Sequence, residues 1–203
     1  MELKKAYEQR RAVNSFDAAK PLPQPLLKEI IDTAVLAPSA FNLQPWRIIA
    51  VTSEESKQKL HPLAFGQPKI LEAPATLILI GDREAYGPEN SVWEELRSFA
   101  GEEGTAGAMG MAAQLYGTSE ERKVKFAESN TGLLGMSIMY AAQALGVDSH
   151  PMSGMDFQAI KEAFALKESE DVVMLIALGY RDEAKELYPR RLRKGWSEIV
   201  TEL

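Results

Sequence analysis

Two runs of strand length, ATLILIG at residues 75–81 and VVMLIALGY at residues 172–180, are apolar almost without interruption. A strand with one wet face alternates apolar and polar residues, whereas a continuously apolar strand is buried on both faces. A sheet built around these runs therefore needs cover on two sides, and the rest of the sequence supplies it. Residues 2–11 read as a short amphipathic helix, with Leu3, Ala6 and Tyr7 on one face. Pro25 sits where a helix opens, in the first turn that tolerates proline. Leu26, Ile30 and Ala34 then run beside Leu27, Ile31 and Val35 as one apolar stripe. A strand is predicted at 47–52. Thr52 with Glu55, and Thr118 with Glu121, read as capping boxes that open two further helices. The second of these runs towards residue 145.

Its latter half, GLLGMSIMYAAQALG, is apolar nearly all round. A membrane span needs roughly 20 apolar residues. This stretch is shorter, lies between Asn130 and Asp148 and contains Gln143, so it reads as a buried central helix. Gly132, Gly135, Ser137, Ala141 and Ala142 would permit close helix approach, including across a subunit interface. Residues 83–118 hold Gly87-Pro88 and a glycine-rich stretch from Gly101 to Gly110, which predicts an irregular, lid-like insertion between short helices. The expectation is an α+β or α/β arrangement with few strands and many helices, in one domain over residues 1–203 that ends in an arm at 184–203.

The formal net charge of -6 argues against general binding of nucleic acid or an anionic membrane, while leaving room for a local basic cluster. With no cysteine, disulfides, thiolate metal sites and a cysteine nucleophile are excluded. The only histidines are His61 and His150, too few for a histidine-based zinc site. The N-terminus lacks the apolar core of a signal peptide, so a cytoplasmic protein is expected.

Four clusters can carry chemistry. Arg10-Arg11 closes the first helix, where arginines also serve simply to compensate the helix dipole. Arg190-Arg191-Leu192-Arg193-Lys194 lies in the tail, where a basic run is ordinarily a solvated face. Together, on an acidic background, the two suit a phosphomonoester, which guanidinium forks bind in pairs of hydrogen bonds. The third cluster is Pro38-Ser39-Ala40-Phe41-Asn42-Leu43-Gln44-Pro45-Trp46, a loop with short polar groups suited to lining a small-molecule site. The fourth is His150-Pro151-Met152-Ser153-Gly154-Met155-Asp156. It is an ordinary turn into a helix capped by Asp156, or a place where Gly154 lets main-chain N–H groups approach a flat ligand.

In this order, the Arg-Arg start, the APSxxNxQPW segment, the Pro-x-x-Gly turn and the basic tail resemble the nitroreductase family of flavoenzymes over nearly the whole chain. The resemblance implies an α+β fold, an α-β-α sandwich with a central, mainly antiparallel sheet, as a homodimer with FMN at the subunit interface. Reduced NADH or NADPH would be the donor and a small nitroaromatic or quinone the acceptor, in ping-pong order, with no catalytic side chain and no metal required. Family branches with other flavin chemistry (dehalogenation, flavin fragmentation) and a non-catalytic flavin-binding or redox-sensing protein are the alternatives.

Carried over by residue, the resemblance puts Arg10, Arg191 and Arg193 on the FMN phosphate. It puts Arg11, Ala12 and Asn14 along the ribityl chain and ring. Pro38, Ser39, Ala40 and Asn42 would reach the flavin from the partner subunit. Pro151, Met152, Ser153 and Gly154 would lie against the isoalloxazine, and Lys69 near N1 and O2. Gln67 stands beside Gly66, where the family has an amide. Ala12 replaces a family serine and Asn14 a basic residue, which leaves Lys69 as the main cation near N1. A cation there favours reduction.

Overall fold

The computed structural model describes residues 3–203, so Glu2 of the first predicted helix lies outside the described residues. Four strands form one sheet: β1 (Trp46–Val51), β2 (Ala75–Asp82), β3 (Asp148–Met152) and β4 (Glu170–Gly179). Their order is β1-β2-β4-β3, and every neighbouring pair is antiparallel. The two apolar runs are the two central strands.

Both faces of those strands are covered. On one face Leu77 and Leu79 of β2 and Ile176 and Leu178 of β4 pack with Ile30 of α2 (Gln24–Ala34) and Leu134 and Ile138 of α6 (Glu120–Ala144). On the other, Ile78 and Ile80 meet Leu60 of α3 (Glu54–Leu63), Ile70 of α4 (Lys69–Glu72) and Ile160 of α7 (Phe157–Ala163). The result is a three-layer α-β-α sandwich. Along β4 the second face takes Val172, then Leu175 and Ala177, a switch from even to odd positions. Strict alternation forbids that switch unless one residue is extra. The register supplies it, jumping from Leu79–Met174 to Ile80–Val172.

Both predicted capping boxes are displaced by one residue. Ser53, not Thr52, caps α3 by accepting from the Ser56 N–H, and Ser119, not Thr118, caps α6 by accepting from Arg122. Each cap opens the same Ser-Glu-Glu sequence, which places two carboxylates in the first helical turn, where the dipole favours them.

Residues 83–118 are more regular than their glycines suggest. They contain α5 (Val92–Tyr116), helical except at Gly101, where φ is 71° and ψ 179°. Trp93, Thr105 and Ala112 are buried, and Trp93 donates from Nε1 to the Gly87 carbonyl at 2.8 Å. Burial of that side overrides the weak helix propensity of the glycines on the other. The small residues of α6 divide between two tasks. A Cβ on Gly135 would come within 2.9 Å of Met174 Sδ, so this glycine lets the helix settle on the sheet, whereas Gly132 faces open space. Among the described residues, no helix is long and apolar enough to cross a membrane.

Candidate functional site

The site begins at the free edge of β3. An edge strand tolerates proline, and Pro151 occupies it, paired with Ile176. Outside β3, the segment after α1 (Leu3–Gln9) lies alongside through a parallel bridge between Ala12 and Ser149. The Val13 N–H donates to the Ser149 carbonyl at 3.2 Å, and Asp17 donates to Tyr180 at 2.8 Å. This pinned segment fixes where Arg10 and Arg11 stand.

The C-terminal arm comes back to the same place. Arg190 Nη2 donates to the main-chain carbonyls of Glu8 at 2.7 Å and Arg10 at 3.0 Å, and Arg11 donates to the Tyr188 carbonyl. Between arm and segment lies a cleft of about 260 Å³ lined by Arg10, Arg11, Ala12, Asn14, Tyr188, Arg190, Arg191 and Arg193, among others. The two arginine clusters, far apart in sequence, therefore share one wall. Arg193 Nη1 donates to the Arg191 carbonyl at 2.9 Å. Among the described residues, Arg10 Nη1 is buried and has no hydrogen-bond partner. Five guanidinium groups on one cleft suit an anion, which they bind by charge-assisted hydrogen bonds.

A second group lies along the same edge. Lys69 opens α4 and donates to Gln67 Oε1 at 3.3 Å, while Gln67 Nε2 donates to the Gly154 carbonyl at 2.7 Å. An ammonium can only donate and a carbonyl can only accept, so these two partners fix the orientation of the Gln67 amide. Burial lowers the pKa of Lys69, with Glu72 opposing. Ser153 and Gly154 are exposed, and a Cβ on Gly154 would meet only Gln67 Nε2, at 3.5 Å. Nothing in the chain requires glycine there. Met152 turns its side chain into the core and offers the site only its main chain.

The loop at 38–42 stands elsewhere. Among the described residues, no hydrogen bond joins it to the cleft or to the Lys69–Gly154 group. Phe41, Asn42 and Gln44 have φ of 52°, 56° and 47°, left-handed values that cost non-glycine residues about 1 kcal/mol each. Three polar contacts hold the shape. The Ala40 N–H donates to Asn130 Oδ1 at 2.9 Å, the Gln44 N–H to Ser39 Oγ at 2.9 Å, and Asn90 Nδ2 to the Leu43 carbonyl at 2.8 Å. The Phe41 ring lies 6.5 Å from that of Trp93 and 6.3 Å from that of Tyr116, centroid to centroid. Asn90 and Asn130 were not singled out in the sequence, because nothing there tells a loop-holding amide from a surface one. Trp46 packs against the α2–α6 side of the core, and His61 lies in the last turn of α3.

The model of the nitroreductase family matches residues 7–180. The chain belongs to the nitroreductase family. It is 30% identical over 195 residues to a Bacillus subtilis protein named "Putative NAD(P)H nitroreductase MhqN", covering 95% of this chain and 94% of that one. A crystal structure of a B. subtilis protein titled a nitroreductase of the same provisional kind superposes with a TM-score of 0.91 at 30% identity, covering 98% of each chain. A protein from Exiguobacterium sibiricum, solved in complex with FMN, superposes with a TM-score of 0.86 at 26% identity, covering 100% of this chain and 97% of the other. This nitroreductase-family chain has both arginine clusters on one cleft, and Lys69, Gln67 and Gly154 joined to one another by hydrogen bonds.

Proposed function

We propose that this protein is an FMN-dependent oxidoreductase that carries hydride from NADH or NADPH to a small acceptor, such as a nitroaromatic or a quinone, and works as a cytoplasmic homodimer. The observation that carries the reading is one cleft lined by five arginines from the two ends of the chain, which suits the phosphate end of a flavin mononucleotide. The relative named for NAD(P)H nitroreductase and the FMN-bound neighbour support the same assignment.

In this reading Arg10, Arg191 and Arg193 hold the phosphate, and Arg11, Ala12 and Asn14 follow the ribityl chain. Gln67, Lys69 and the Pro151–Gly154 turn receive the ring, with Gly154 leaving room for a flat face and its main-chain N–H free to donate. FMN held by these residues would supply hydride chemistry, accepting from the nicotinamide and donating to the acceptor in turn, a ping-pong order. Lys69 biases that chemistry by placing positive charge beside N1. Pro38, Ser39, Ala40 and Asn42 complete the site of a second copy, a role that suits a loop held in a left-handed conformation away from its own chain's cleft. The helix α5 packs on that loop and acts as the lid over the acceptor.

Anaerobic mixing of the FMN-loaded protein with NADH and NADPH tests this reading. Bleaching of the flavin band by at least one of them is expected. A yellow protein that neither donor bleaches is a flavin-binding protein without this activity.

A further inference from the structure

We propose that His150 is a positioning residue whose Nδ1–H replaces the main-chain donor that Pro151 lacks, so locking the Arg10–Asn14 segment to β3. In a parallel ladder, the partners of a bridge exchange N–H and carbonyl with residues one step on. Ala12 bridges Ser149, and the Val13 N–H reaches the Ser149 carbonyl. The next rung would run from the N–H of residue 151 to the Val13 carbonyl, because residue 151 has the same parity as Ser149 and faces the same side. Residue 151 is proline and has no N–H. Val13 is buried, with 1% of its surface exposed, so water is a poor substitute for the missing donor.

The imidazole of the preceding residue fills the gap, with Nδ1 2.8 Å from the Val13 carbonyl oxygen. A carbonyl only accepts, so the proton is on Nδ1 and Nε2 of the neutral ring is left with its lone pair. Neutrality suits the surroundings. Burial and the charge of Lys69 on α4 both disfavour the imidazolium, while the Val13 carbonyl favours it. The ring therefore touches the segment that carries Arg10, Arg11 and Asn14 on one side and feels Lys69 on the other. It fixes the segment that bears the phosphate end of the site against β3 without adding charge there.

This inference rests on the flavin reading for its functional consequence, and one set of variants separates the two. The amide nitrogen of an asparagine side chain falls where Nδ1 of histidine lies, and that of glutamine where Nε2 lies. His150→Asn should keep the bond to Val13 and hold FMN within about two-fold of the wild-type affinity, whereas His150→Gln and His150→Leu should weaken FMN by roughly ten-fold, the worth of one net hydrogen bond. Equal affinities for the asparagine and leucine variants overturn the positioning role. Nitrogen NMR of the flavin-free protein, which has only two histidines to assign, gives a readout independent of flavin. A proton on Nδ1 of His150 is expected, and a proton on Nε2 overturns the inference whatever the flavin does. A wild-type protein that fails to take up FMN while showing the Nδ1 tautomer sinks the flavin reading and leaves the strut standing.

Discussion

Arg190 Nη2 donates to the main-chain carbonyl of Arg10 at 3.0 Å, joining two residues that lie 180 positions apart. With its bond to Glu8, this contact ties an exposed arm to the end of α1 and closes the arginine cleft. Arg190 thereby acts on its neighbours' positions, whereas Arg10 lines the cleft itself. Arg10→Ala should weaken FMN by about a hundred-fold, the upper range for hydrogen bonds to a charged group. Arg190→Ala should mainly speed FMN release. Both are read by flavin retained on a desalting column and by dissociation kinetics, and a fully retained flavin in Arg10→Ala contradicts the assignment.

Lys69 is the cation beside the proposed ring position, held by Gln67 Oε1. Lys69→Ala should make the flavin harder to reduce by roughly 30 mV, which is about 1.4 kcal/mol for a two-electron couple. Spectroelectrochemical titration measures this, and an unchanged midpoint potential removes Lys69 from the site.

His150 also predicts a pH dependence of stability. Its pKa is pushed down to about 4, first by burial and then by Lys69. In the unfolded chain a histidine titrates near 6.5. Between those values the unfolded state binds the extra proton, so stability is intact above about pH 6.5 and is lost as pH falls towards 4. Thermal melting across that window should show a steeper acid loss for the wild type than for His150→Asn. Parallel curves contradict the burial of a neutral ring.

Two glycines of α5 should respond in opposite directions. Gly101 has φ 71° and ψ 179°, open only to glycine, so Gly101→Ala should destabilise by more than about 1 kcal/mol. Gly107 is helical with nothing near its missing Cβ, so Gly107→Ala should stabilise by about 0.5–1 kcal/mol. Calorimetric melting temperatures check the signs.

The sheet was legible because β2 and β4 are apolar on both faces, a pattern that admits few alternatives. The bulge at Val173 was not, since a continuous apolar run looks the same in either register. The caps slipped by one because threonine and serine stand side by side before each pair of glutamates, and either can cap. The helix α5 was misread since its burial depends on Trp93 and Ala112 meeting α6 and the 38–42 loop, contacts that local propensity does not record. At the site, Arg10, Arg191 and Arg193 stand out in the sequence by their side chains, and the structure puts all three on one cleft. The parts made by main chain, such as the Val13, Arg10 and Tyr188 carbonyls, leave no mark on a sequence.

The central claim is that the arginine cleft receives the phosphate of a flavin. Calorimetric titration of the flavin-free protein with FMN and with riboflavin, which differ by that phosphate alone, tests it most directly. The account predicts that FMN binds at least about a hundred-fold more tightly, a gap that added salt narrows. Equal affinities, or no uptake of either flavin, would contradict it.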